Sequence, residues 1–210
     1  MVVMATLFGI KPKSVIITGM KSAILVHGWA HKDEFYDLKY PTPSNSHWFP
    51  WLTKQLMSKD IYTVAVEMPN SFYPQYEVWK KEFERFDISE DTILVGHSCG
   101  GGFLVRWLSE NNAKVGKVIL VAPWMGIRPD QEFDDTFFDF VIDQNLADKT
   151  KSLTIFNSSN DVSEIQDSVK LLREKLNDVQ LVELENKGHF TLKGLGTEEF
   201  PELLDELLRD

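Results

Sequence analysis

One cysteine, Cys99, is all that this 210-residue chain contains, and the scarcity removes whole classes of protein. A single thiol can build neither an internal disulfide framework nor a cysteine-based zinc site, and it suits a reducing compartment. Basic residues are in deficit too: 22 Lys and Arg against 32 Asp and Glu leave a net charge of −10. That balance excludes the clustered cations by which nucleic acid or an anionic membrane surface is bound. No apolar run approaches the roughly 20 residues needed to span a bilayer. The apolar stretch Met1–Ile10 lacks the basic leader and cleavage site of a signal peptide, so a cytoplasmic protein is expected. Low-complexity tracts, repeats and linkers rich in Pro, Gly or Ser are absent as well.

What is present from Met20 onward is an alternation. Short β-rich runs (Ala23–His27, Ile61–Val66, Thr92–His97, Lys117–Val121, Leu153–Asn157, Gln180–Leu184) are separated by segments of helical character. Those segments are Trp48–Ser58, Tyr76–Arg85, Cys99–Glu110, Ser163–Leu176 and Glu198–Leu207. Near-continuous Val, Ile and Leu in several runs marks strands covered on both faces. The expectation is one α/β domain over 20–210: a doubly wound, mainly parallel six-stranded sheet with helices on both faces. Residues 1–19 stand outside the alternation as an extension or a short hairpin, Leu7–Lys11 with Ser14–Thr18. So does Pro123–Lys149, acidic and aromatic, with Phe133, Phe137, Phe138 and Phe140 at helical periodicity. It reads either as a small lid or as a surface helix that buries its phenylalanines.

Chemistry concentrates at Gly96-His97-Ser98-Cys99-Gly100. A serine hydroxyl needs a positioned base before it attacks anything at neutral pH. Gly-x-Ser-x-Gly between a strand and a helix supplies the geometry, exposing the serine oxygen on a sharp turn. Thr92–Val95 leads into this motif and Gly101-Gly102-Phe103-Leu104 leads out of it as a helix, so Ser98 is the expected nucleophile. The partners should follow in the order acid, then histidine. Of the five histidines only His189 lies downstream of Ser98, directly after the last strand candidate. Asp161, in the loop after the run Leu153–Phe156, is the expected acid, with Glu164 in reserve.

Two backbone donors must stabilise the oxyanion. One is the amide of Cys99; the other is expected from the His27-Gly28-Trp29 turn, at Trp29 or alternatively Ala30. The rings of Trp29 and Trp124 are either walls of an acyl pocket or core packing. Cys99 begins a helix, where a thiol can gain reactivity, but the turn exposes position 98 rather than 99. His27 and His31 have the spacing of a zinc helix, yet Gly28 intervenes and no Glu follows His27, so no metal is expected.

Taken together, Val26-His27-Gly28-Trp29, His47-Trp48-Phe49-Pro50-Trp51-Leu52, Glu67-Met68-Pro69-Asn70, Val78-Trp79, Gly96-His97-Ser98, Val121-Ala122-Pro123-Trp124 and Lys187-Gly188-His189-Phe190 resemble the YdeN and retinoblastoma-binding-protein-nine family of small α/β serine hydrolases. The His-Trp-Phe-Pro-Trp block is the most distinctive of these. The resemblance implies a compact sheet with a minimal lid and Ser98, Asp161 and His189 as triad. The loop from His31 to Ser46 is long for the family, and Cys99 stands where leucine is common. A Leu-x-Cys-x-Glu sequence for retinoblastoma-type pockets is absent. The expected activity is therefore esterase-like hydrolysis of a small acyl substrate without a cofactor. The alternative is an inactive α/β-hydrolase scaffold that binds a ligand or protein.

Overall fold

The computed structural model describes residues 21–126, 134 and 136–209. Strands β1 (Ser22–Val26), β2 (Tyr62–Val66), β3 (Thr92–His97), β4 (Val115–Val121), β5 (Thr150–Ser158) and β6 (Gln180–Leu184) form one sheet in the order β2-β1-β3-β4-β5-β6. Every adjacent pair is parallel. β3 is buried along its whole length, as its unbroken apolar run requires of a central strand. Because all strands point the same way, Val26, His97, Val121, Ser158 and Leu184 end at one edge, where open parallel sheets place their sites.

Helices cover both faces. In chain order they are α1 (Lys32–Tyr36), α2 (Phe49–Met57), α3 (Tyr76–Phe83), α4 (Cys99–Glu110), α5 (Ser163–Lys175), α6 (Leu192–Leu195) and α7 (Pro201–Leu208). Helix α2 buries Phe49, Leu52 and Leu56 at helical spacing and meets α7 where Trp48 lies edge-on to Phe200, ring centres 6.1 Å apart. Helix α3 buries Tyr76, Trp79 and Phe83 and packs against Phe103 and Trp107 of α4. Helix α7 starts at Pro201 rather than at Glu198 as expected. A proline pre-set at the first helical position also pushes the preceding Phe200 out of the helical region, to φ −135°, ψ 73°. The four- and five-residue helices α6 and α1 were not expected from sequence, being too short for any periodicity to register.

The proposed extension 1–19 lies outside the described residues, as does much of the lid candidate, including Phe133. The part of that candidate that is described is not an α-helix: turns at 136–138 lead to a single 3-10 turn, Leu146–Lys149. Phe137 is fully buried, edge-on to Trp79 at 5.4 Å and to Tyr76 at 6.2 Å. Arg106 of α4 clamps the same stretch. Its Nη1 donates to the carbonyls of Thr136 (2.6 Å) and Phe137 (2.9 Å), and its guanidinium sits 3.6 Å from the centre of the Tyr76 ring. Residues 136–137 are thus part of the core rather than of a free cover.

His97, at the last position of β3, is 4% exposed. Burial first, then the nearby His189 and His47, hold its imidazole well below the ordinary value of 6.5.

Two stability measurements follow from this packing. Phe137→Ala is expected to cost about 3–5 kcal/mol in urea unfolding, the range for a fully buried phenylalanine, whereas a loosely docked cover would lose far less. Below the ordinary histidine pKa, the unfolded chain takes up a proton at residue 97 that the folded chain refuses. Stability therefore falls as pH falls, by up to about 1.4 kcal/mol per pH unit from this group. Unfolding free energies at about pH 7.5 and about pH 5.5 should differ more in the native protein than in His97→Gln; equal differences would contradict the assignment.

Candidate active site

Ser98 occupies the turn between β3 and α4 at φ 55°, ψ −124°, a conformation that a non-glycine residue adopts only when its surroundings impose it. Its N–H donates to Val121 O (2.9 Å). Its carbonyl accepts from the amides of Gly101 (2.9 Å), Gly102 (3.2 Å) and Trp124 (3.0 Å). The turn is possible because Gly100 carries no side chain. A Cβ there would stand 2.4 Å from the carbonyl oxygens of both Val26 and His27.

The first oxyanion candidate, the amide of Cys99, opens α4 and has no acceptor among the described residues. The Cys99 thiol is buried and its pKa is driven well above the ordinary range by that burial, which leaves it inert as a nucleophile. The second candidate turn lies directly against Ser98: a Cβ at Gly28 would meet Ser98 Cβ at 2.8 Å and Oγ at 3.2 Å. Between Trp29 and Ala30 the hydrogen bonds discriminate. Ala30 N–H is committed to Ser71 O (3.2 Å), while Trp29 N–H has no acceptor among the described residues. His27 holds this turn from below. Its Nδ1–H donates to Gly28 O (2.7 Å) and its Nε2 accepts from Met68 N–H (2.9 Å), which together define one neutral tautomer.

His189 and Asp161 are brought together. His189 Nδ1–H donates to Asp161 Oδ2 at 2.8 Å, and the second carboxylate oxygen accepts from Val162 N–H at 2.8 Å. The Asp161 side chain is 1% exposed and that of His189 28%. With Nδ1 carrying the proton, Nε2 of His189 is the bare, basic nitrogen. Glu164, the reserve acid, is exposed on the first turn of α5 and accepts from Ser163 Oγ (3.0 Å). The loops carrying Asp161 and His189 are laced together: Ser158 Oγ accepts from Lys187 N–H (2.9 Å), Asn160 Oδ1 from Gly188 N–H (2.8 Å) and Ser159 Oγ from Asn186 N–H (3.2 Å). Sequence reasoning did not find these three brackets, because short polar side chains in Asn157-Ser158-Ser159-Asn160 look like any loop.

His97 is the closest link between the Ser98 turn and His189. The two imidazoles lie 4.9 Å apart, and His97 Nε2–H donates to His189 O at 2.8 Å. A direct hydrogen bond from Ser98 Oγ to His189 Nε2 is not formed among the described residues. Of the two tryptophans, Trp124 is 3% exposed and edge-on to Phe138 (5.4 Å), so it packs in the core. Trp29 is half-buried, 4.4 Å from the His31 ring, with its indole N–H on Phe72 O (3.0 Å). Among the described residues no group of His, Cys, Asp and Glu is arranged to hold a metal ion, and no helix is long and apolar enough to cross a membrane.

Comparison with known proteins bears on the family and the fold. The Bacillus subtilis protein YdeN is 28% identical over 192 residues, covering 89% of this chain and 94% of YdeN. The crystal structure of the ydeN gene product superposes with a TM-score of 0.74, covering 89% of this chain and 96% of that one. An α/β serine hydrolase homologue from Coxiella burnetii, at 19% identity, shares the fold with a TM-score of 0.60 over 90% of this chain and 86% of its own. The sequence profile of the serine hydrolase family matches residues 23–209, and with that match over nearly the whole chain the protein belongs to the serine hydrolase family.

Proposed function

We propose that the protein is an esterase-like hydrolase that cleaves an ester, thioester or amide of a small substrate through an acyl-enzyme on Ser98. The observation that carries this proposal is the part-buried 2.8 Å hydrogen bond from His189 to Asp161, set beside a strained serine turn. Ser98 Oγ adds to the substrate carbonyl while its proton passes to His189 Nε2. Asp161 keeps the ring in the Nδ1–H tautomer and stabilises the imidazolium. The negative charge that develops on the carbonyl oxygen is received by the amides of Cys99 and Trp29, preorganised by α4 and by the His27-held turn. His189 returns its proton to the leaving group, and water, activated by the same nitrogen, then hydrolyses the acyl-enzyme. Every group in this sequence belongs to the chain itself, and no cofactor is invoked.

The Trp29 ring, carried on the oxyanion turn itself, is proposed as the wall of the acyl pocket, which favours substrates with an apolar part. The buried, uncrosslinked Cys99 and the acidic surface fit a cytoplasmic enzyme acting on small molecules rather than on nucleic acid or membranes.

Ser98→Ala is expected to abolish turnover of a short activated ester and covalent labelling by a fluorophosphonate, with an unchanged circular dichroism spectrum. Retained turnover would overturn the proposal, and failure of the folded native protein to label would favour a non-catalytic scaffold. Asp161→Asn should keep substrate binding but lower kcat by about 10³–10⁴-fold, because the ring then takes the wrong tautomer. A loss of less than about tenfold would remove Asp161 from the triad.

A further inference from the structure

The His47-Trp48-Phe49 block, the most distinctive stretch of the sequence, has no part in the chemistry above. In the fold it surrounds one residue. The rings of His47, Trp48 and Phe49 stand 6.3, 5.8 and 6.3 Å from the imidazole of His97, each edge-on or steeply inclined. His97 in turn lies between the nucleophile, its neighbour in sequence, and the base.

We propose that His97 and His47 are positioning residues for the general base: caged by the aromatic block, His97 fixes the main chain at His189, and His47 fixes it at Leu192. The proposal rests on the triad assigned above. Its basis is a pair of hydrogen bonds of opposite sense. His97 Nε2–H donates to His189 O at 2.8 Å, and Leu192 N–H donates to His47 Nδ1 at 3.1 Å. The first requires a proton on Nε2 of His97. The second requires a bare Nδ1, so His47 is neutral with its proton on Nε2. Burial, and then the charge that His189 would carry, lower the pKa of His47 and keep it in that form.

The base loop needs such clamps because it is not a stable local structure. Asn186, Gly188 and Phe190 all have positive φ (57°, 53° and 52°), and only one of them is glycine. Phe190 is drawn into the core, stacked on Phe200 at 5.2 Å, which pulls the chain inward one residue after His189. The brackets from Ser158, Ser159 and Asn160 hold the loop before His189. The two histidines hold it at and after that residue. His47 itself has φ 58°, so the block enters α2 through a left-handed residue that points Nδ1 at Leu192.

The test pairs a disruptive and a conservative variant at each position. His97→Leu removes the donor, and His97→Gln returns an amide N–H near Nε2. His47→Ala removes the acceptor, whereas His47→Asn returns an oxygen near Nδ1 and tolerates positive φ. In hydrolysis of a short p-nitrophenyl ester, His97→Leu should lower kcat by about 10- to 100-fold with KM within about twofold. His97→Gln should recover most of that loss, and the His47 pair should behave alike with smaller amplitude. Wild-type kcat in both His97→Leu and His47→Ala would overturn the proposal, as would conservative variants no better than the disruptive ones. If His97→Leu does not fold, the His47 pair decides. Hydrogen–deuterium exchange of the segment 185–195 gives a readout independent of turnover. Uptake should quicken about tenfold in His47→Ala and return in His47→Asn, while β3 stays protected. Unchanged uptake would refute the clamp. A native protein that neither hydrolyses nor labels at Ser98 would instead refute the triad, with the exchange result still deciding the role of His47.

Discussion

The structure depends on one crowded point, the contact of three chain segments at Ser98. The residue holds a main-chain conformation that costs on the order of 1–3 kcal/mol. Four hydrogen bonds to its own amide and carbonyl hold it there. Val121 from β4 and Trp124 from the following loop grip it on one side, and the first turn of α4 grips it on the other. The end of β1 closes against it so tightly that neither residue 28 nor residue 100 has room for a Cβ. The parallel sheet is what makes that meeting possible. Because β1, β3 and β4 are adjacent and point the same way, their carboxyl ends converge on the turn without any long connection.

Two further layers are built on that point, one around the Gly28-Trp29 turn and one around His189. The Gly28-Trp29 turn is held by His27, whose ring bridges Gly28 O and Met68 N–H and so ties the end of β1 to the chain after β2. His189 is held by its surroundings rather than by its own loop. Ser158, Ser159 and Asn160 bracket it from the acid side, and His97 and His47 from the nucleophile side. All three of these supporting histidines act through hydrogen bonds, and the two nearest the base are held neutral by burial. A neutral imidazole can both donate and accept, which suits it to bridging main-chain groups in a place where a fixed charge would disturb His189.

Legibility in the sequence followed how local each cause was. The strand Thr92–His97 and helix Cys99–Glu110 were readable to the residue, since an unbroken apolar run and a glycine-marked turn are local signals. The pairing of Asp161 with His189 was readable by order and by placement after strands. The segment Pro123–Lys149 was not. Its phenylalanine spacing suggested a helix or a lid, but Phe137 is held by Trp79, Tyr76 and Arg106, residues far away in the chain. The histidines at 47 and 97 carried no local signal of their roles, because their partners lie 145 and 92 positions away.

The sequence by itself determined the alternation of strands and helices, the serine turn, and the choice of Asp161 and His189 as candidates, which the fold brings into contact. Each of these follows from periodicity, from glycine placement, or from the order in which residues leave successive strands. Only the tertiary structure decided which amide at the oxyanion turn is unengaged, that Trp124 packs inward, and what holds His189 in place. Those outcomes depend on which groups meet across the sheet edge. A hydrogen bond between residues so distant in the chain exists only once the fold has closed the space between them.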